Sequence, residues 1–245
     1  MPKKSKVSNN TSQSSKSASA VSSDLTFPDI SQKEGLECRV LLEDQIILID
    51  DFLSVEECKR LVQFINNVPL ELTPPKKKGE AERVNCKCSH QSIRFSVTSV
   101  SFAQRLHSLL LPHLPSFPPP TTARRRLHPG EKRAPHSCNS NIRMYKYTPS
   151  QYFGPHYDDS VRDPETGAKS EWTVLVYLTG IEDGVEGGET LFYKDERGKP
   201  RETLVAPLTR GTVLLHRHGN ECLLHEGSLV RDGTKYILRS DLMFM

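Results

Sequence analysis

From residue 141 to residue 244 the chain repeats one pattern: a short β-branched or aromatic run, then a turn carrying Gly, Pro or Asp. Residues 141–147 alternate, with Arg143, Tyr145 and Tyr147 on one face and Ile142 and Met144 on the other. Residues 172–178 are almost continuously apolar, as expected of a strand covered on both sides. Gly187 and Gly188 mark a turn before a run at 190–193, and further runs at 203–206, 212–216, 221–224 and 235–244 complete the series. Short strands at this spacing imply an all-β sandwich or jelly roll, because no single strand can bury a face alone.

Helices precede this series. Ser54 followed by Glu57 is a capping box, in which each residue satisfies the other's orphan amide. Leu61, Val62, Phe64 and Ile65 then fall at helical spacing, and Pro69 closes the element. A second helix is predicted around 101–111, with Phe102, Leu106, Leu109 and Leu110 on one face and Pro112 at its end. A strand over 38–49 leads into the domain. The expected class is mainly β (α+β), with the helices buttressing the sheets.

The length of 245 residues suits one domain of roughly 200 residues and a tail. Residues 1–24 are Ser, Asn, Thr and Lys with few large apolar side chains, so they cannot offset their ordering entropy and read as disordered. The boundary is placed at 1–35 for the tail and 36–245 for the domain. No secretory apolar core is expected in the tail, and no apolar run is long enough to span a membrane. Lys3, Lys4 and Lys6 are either a small nuclear-import patch or an ordinary solvated segment, so the expected setting is cytoplasmic or nuclear. A formal charge of +3 and the lack of a basic-aromatic stripe argue against nucleic acid.

Six cysteines without a secretory signal read as free thiols rather than a disulfide framework. Cys86, Cys88 and His90 lack the usual zinc-knuckle spacing. Residues 72–87 read as a loop with Lys76, Lys77 and Lys78. Residues 114–135 are irregular, rich in Pro, and hold Arg124, Arg125 and Arg126; a solvated insertion is favoured over a basic lid.

Chemistry centres on His156 and Asp158. In an extended segment they share one face, so an imidazole and a carboxylate converge, two thirds of a facial set for non-haem iron(II). Asp159 is the alternative carboxylate, but strand parity favours Asp158. The remaining ligand must come from His216, His218 or His225. His225 precedes Lys235 and Arg239, which share a face of the last strand. A lysine pointing into an apolar barrel is costly unless an anion meets it. A dicarboxylate bridging metal and cation supplies that anion, which selects His225.

The segments 147–158, 172–179 and 187–192, then His225 with Val230, Gly233 and Lys235, together resemble the prolyl 4-hydroxylase-like branch of iron(II)/2-oxoglutarate dioxygenases. The resemblance covers about residues 45–244 and is strongest from Arg143 onward. It implies a double-stranded β-helix, a distorted jelly roll. It implies iron(II) on His156, Asp158 and His225, with the far carboxylate of 2-oxoglutarate on Lys235 or Arg239, of which Lys235 is favoured. Tyr147 and Tyr177 stand where relatives offer a hydroxyl to that pocket. Dioxygen is the other cosubstrate, and ascorbate is admitted as a reductant. The implied activity is hydroxylation of a protein or peptide, at proline, with release of succinate and CO2. A small-metabolite substrate and a catalytically silent binding module are the competing readings. The segments holding Cys86 to His90 and Arg124 to Arg126 depart from the family's pattern and bear on substrate choice.

Overall fold

The structure is a computed structural model that describes residues 25–72, 93–119, 133–195 and 198–245. The tail of residues 1–24, the Lys76–Lys78 run, the Cys86–His90 group and Arg124 to Arg126 lie outside the described residues.

Two antiparallel sheets face one another. The larger runs β1 (Cys38–Leu42), β2 (Ile46–Ile49), β12 (Val213–Arg217), β8 (Lys169–Tyr177), β15 (Lys235–Phe244), β6 (Asn141–Tyr147), β4 (Ile93–Thr98) and β3 (Glu71–Leu72), with β5 (Ser137–Cys138) paired to β15. The smaller runs β11 (Glu202–Ala206), β10 (Thr190–Lys194), β13 (Leu224–Gly227) and β7 (Phe153–His156). A ribbon of β9 (Glu186–Gly187) and β14 (Val230–Asp232) closes one end. This is the expected double-stranded β-helix, in which strands alternate between the two sheets.

Period-two side-chain alternation divides the interior into two cores. On the outer face of the large sheet, Ile47, Ile49, Ile142, Met144, Val174, Val176, Val213 and Leu215 pack against two helices. These are α1 (Val55–Asn67) and α2 (Val100–Leu110), which bring Leu61, Ile65, Phe102, Leu106 and Leu109. The opposite parity, with Ile46, Leu48, Tyr145, Tyr147, Tyr177, Leu214 and Ile237, faces the small sheet and lines the inside of the roll. The continuous apolar run of β8 follows from this: it is covered by helices on one face and by the roll on the other. Among the described residues no helix is long and apolar enough to cross a membrane.

Three local expectations need correction. Residues 25–35, assigned to the tail, pack on the helical layer. Phe27 stacks on Phe102 at 4.0 Å, Ile30 is buried, and Arg105 donates to the Ile30 carbonyl. Leu25, Phe27 and Ile30 supply the apolar surface that residues 1–24 lack. Glu57, the capping-box carboxylate of α1, also accepts from Ser31 N and Lys33 Nζ and so ties this segment down. Burial alone would raise its pKa, but Lys33, Ser31 and Ser54 outweigh that and hold it at about 2.

The 114–135 segment is not wholly a solvated insertion. Phe117 pairs with Arg133 across its neck and is buried against Trp172 and Phe244. Finally, the strand expected at 221–224 is a short 3-10 turn over Gly219–Glu221; the strand starts at Leu224, which moves His225 into the ladder.

Candidate active site

The site forms where β7 and β13 run side by side in the small sheet, with His225 directly opposite His156. Their rings lie 4.2 Å apart between centroids. Each ring has its Nδ1 on a nearby carbonyl: His156 on Gly154 O and His225 on Leu223 O, both at 2.9 Å. A carbonyl can only accept, so both Nδ1 atoms carry a proton and Nε2 is the nitrogen of each ring turned to the cleft for ligation. Asp158, just past the end of β7, lies between them. Its Oδ1 is 3.6 Å from His156 Nε2 and its Oδ2 is 3.7 Å from His225 Nε2. One ligand atom from each of the three residues falls within 4.8 Å of the others. Metal–ligand bonds of about 2.0–2.2 Å need donors separated by roughly 3–4 Å, so the set fits a small divalent ion. Two imidazoles and a carboxylate on one face suit iron(II). Asp159 is exposed, as parity required.

Asp158 is buried and doubly held. Arg239 Nη2 lies 3.0 Å from Oδ2, and Thr173 Oγ1 donates to the same oxygen at 2.9 Å. Burial opposes its charge, but Arg239 and then His225 and His216 keep its carboxyl well below the usual range. Burial, followed by the neighbouring His225, pushes His156 down to about 3, leaving it neutral and ready to ligate. His225 differs. Burial pushes it down, but the adjacent Asp158 and Cys222 outweigh this and lift it to about 10. An arriving metal ion must displace that proton.

His216, a ligand candidate that the Lys235 argument passed over, faces the same cleft from β12. Its Nε2 is 3.6 Å from Asp158 Oδ2 and has no hydrogen-bond partner among the described residues. Its ring is 4.5 Å from that of His225, and Phe192 backs both. The available signal was parity: His216 shares the inward face of β12 with Leu214. Tyr145 was overlooked for the same reason and lines the cleft beside Tyr147. His216, Cys222 and His225 also bring ligand atoms within 4.8 Å. That set shares His225 with the first, and the His225 nitrogen nearest Cys222 Sγ, at 3.8 Å, is the one given to Leu223 O. His218 does not face the metal position; it stands behind Thr173.

The cleft runs from this cluster to Lys235. Lys235 is buried, donates to the Gly188 carbonyl, and has its Nζ 5.5 Å from the Tyr147 ring centroid and 5.7 Å from that of Tyr177. Gly188 reaches it through the expected glycine turn. Gly187 and Gly188 both have φ of 74°, and a side chain on Gly187 would collide with the Leu229 carbonyl. Burial, opposed only by Glu189, pushes Lys235 down to about 7. It forms no ion pair among the described residues. Arg239, by contrast, is committed to Asp158 and lies 3.6 Å from Asp241. Tyr147 lines the cleft, whereas Tyr177 is fully buried behind it and hydrogen-bonded to Thr190 at 2.7 Å. A buried ammonium at one end and a three-ligand face at the other fit a dicarboxylate that chelates the metal.

A two-sheet roll with an inward His–Asp–His face and a buried cation fits the chemistry of a non-haem iron oxygenase that uses a 2-oxo acid. Residues 142–240, which hold all these groups, match the model of the 2OG-Fe(II) oxygenase superfamily. Over that region the chain is similar to 2-oxoglutarate-dependent dioxygenases, whose cosubstrates are 2-oxoglutarate and dioxygen and whose metal is iron(II). The fold is shared with a prolyl hydroxylase from Trichoplax adhaerens (TM-score 0.52, 15% identity, 82% of this chain and 84% of that one). A Pseudomonas putida prolyl-4-hydroxylase is also similar (TM-score 0.49, 12% identity, 82% and 93%). So is the viral collagen prolyl hydroxylase of Paramecium Bursaria Chlorella virus-1 (TM-score 0.47, 19% identity, 82% and 97%). Comparison with curated proteins gives no significant match.

Proposed function

We propose that this enzyme hydroxylates a protein substrate at proline, with iron(II) held by His156, Asp158 and His225 and 2-oxoglutarate anchored on Lys235. One observation carries the reading: a single cleft has the three-ligand face at one end and, at the other, a buried ammonium without a carboxylate partner among the described residues. When bound, the metal supplies the oxidising chemistry that couples decarboxylation of 2-oxoglutarate, to succinate and CO2, with hydroxylation. The chain's own residues bind and orient. Gly154 and Leu223 carbonyls fix the two imidazoles in the tautomer that ligates. Lys235 takes the far carboxylate, and Leu175, Ile237 and Tyr147 wall the cleft against water.

A peptide occupant is supported from two sides. The similar Trichoplax adhaerens enzyme is in complex with a hypoxia inducible factor oxygen degradation domain peptide fragment. In this chain, exposed Tyr157 directly follows His156, and exposed Leu229 follows β13, giving apolar surface close to the ligand-bearing strands.

An anaerobic visible-absorption titration tests the core of this reading. A weak charge-transfer band is expected only when both iron(II) and 2-oxoglutarate are present, and none in Asp158→Asn. Proline-containing peptides are then assayed by mass spectrometry for the gain of one oxygen atom. Absence of the band in folded protein would point to a silent binding module. A band with oxidation of a small metabolite, and none of any peptide, would overturn the protein substrate.

A further inference from the structure

We propose that Ser170, His218 and Thr173 form a buried positioning relay that holds Asp158 by one oxygen and so makes it a single-oxygen metal ligand. The inference rests on the metal assignment above.

The geometry leaves one arrangement of protons. Thr173 Oγ1 lies 2.9 Å from Asp158 Oδ2, and an ionised carboxylate only accepts, so Thr173 donates. The threonine oxygen is then left as an acceptor toward His218 Nδ1, at 2.9 Å, which must carry the ring proton. His218 Nε2 is therefore the bare nitrogen, and it lies 2.9 Å from Ser170 Oγ. Ser170 supplies that hydrogen while its own oxygen accepts from Val161 N at 2.8 Å. The chain of donors runs in one direction, from a backbone amide to the carboxylate, with no link left over. Thr173, Ser170 and His218 are all buried. In such a place a neutral imidazole is kept only where both its nitrogens are matched.

The consequence concerns Asp158. Thr173 and Arg239 both meet Oδ2, which also lies 3.7 Å from His225 Nε2, while Oδ1 faces His156 Nε2 at 3.6 Å. A metal on the His156 side therefore meets one oxygen, and the carboxylate is restrained from turning to chelate with both. Its neighbour Cys222 fixes the backbone of the same residue, Asp158 N donating to Sγ at 3.3 Å. Nothing in the linear sequence marks Ser170 or His218 for this task. They meet because β8 and β12 are paired with Thr173 opposite His216, one inward position from His218.

Cobalt(II) titration of the metal-free full chain tests the relay, because the ligand-field spectrum reports coordination as well as affinity. Thr173→Val keeps the shape and removes the hydroxyl; binding is expected to weaken about 10–100-fold, with a shifted spectrum. Thr173→Ser keeps the donor and is expected to stay near the wild type. His218→Leu should reproduce the loss, and His218→Asn, which retains a donor near the Nδ1 position, should recover most of it. The His218 pair reads the link from its far side, so the relay remains open to refutation even if Thr173→Val fails to fold. Wild-type affinity and spectrum in both Thr173→Val and His218→Leu overturn the relay alone. No cobalt binding by the wild type, or equal binding by Asp158→Asn, overturns the metal assignment and the relay together.

Discussion

If Lys235 anchors 2-oxoglutarate as proposed, binding carries a protonation change that can be counted. Burial lowers its pKa to about 7 from the ordinary 10.5. A carboxylate arriving within hydrogen-bond distance favours the charged form and returns the pKa toward its ordinary range. Binding must then draw protons from solution: about 0.9 at pH 8, about 0.5 at pH 7 and about 0.1 at pH 6. The same linkage weakens 2-oxoglutarate affinity about 50-fold between pH 7 and pH 9. The protein without 2-oxoglutarate responds in the opposite sense. Its unfolded chain keeps the Lys235 proton up to 10.5 while the folded chain loses it near 7, so this group's contribution to stability rises with pH between those values. Calorimetric titration of the manganese(II)-loaded protein with 2-oxoglutarate, in buffers of different ionisation enthalpy, gives the proton number directly. Lys235→Arg should still bind but with uptake near zero, since a guanidinium does not deprotonate. No uptake at pH 8 in the wild type, with pH-independent affinity, would refute the assignment of Lys235 as the uncompensated partner.

Three more outcomes follow from other parts of the molecule. Asp158→Asn should lose metal binding but remain folded, because the amide oxygen still accepts from Thr173 and Arg239, whereas Asp158→Ala strands a buried guanidinium whose other carboxylate is 3.6 Å away. Urea unfolding should show the alanine variant about 3–5 kcal/mol less stable, and equal stability of the two would mean Asp241 suffices as partner. His225, lifted to about 10, makes metal binding release a proton, so cobalt(II) affinity should rise about tenfold per unit between pH 6 and pH 9; a flat profile removes His225 from the ligand set. Glu57→Ala should cost about 1–2 kcal/mol at neutral pH through the lost cap and the freed 25–35 segment. Because Glu57 sits at about 2 instead of 4.5, that difference is full above 4.5 and closes as pH falls toward 2, which urea midpoints across the acid range would follow.

Period-two alternation made the sheets readable, since β6, β8 and β15 each assign their side chains to faces without reference to a partner. The His156–Asp158 pair was visible for the same local reason. His225 was reachable only through its relation to Lys235. Parity gives His216 the inward face of β12, but its closeness to Asp158 depends on how β12 lies in the large sheet, opposite Thr173 on one side and Ile46 on the other. The Arg239–Asp158 ion pair was hidden likewise: Arg239 lies on the large sheet and Asp158 just past a strand of the small one, so they meet only across the closed roll. The 25–35 segment escaped because its three anchoring side chains follow no helical or strand period; the grooves that receive them belong to α1 and α2.

The two ends of the cleft belong to different sheets. His156 and His225 ride on the small sheet, whereas Lys235 rides on the large one, beside Tyr147. The gap between them is thus a caliper whose jaws are set by the packing of Phe192 and Leu214 with Ile237. Trimming one of those side chains lets the jaws settle, without touching metal or carboxylate. The preferred length of the dicarboxylate would shift with them, so that chain-length selectivity among 2-oxo diacids becomes a property of the hydrophobic core.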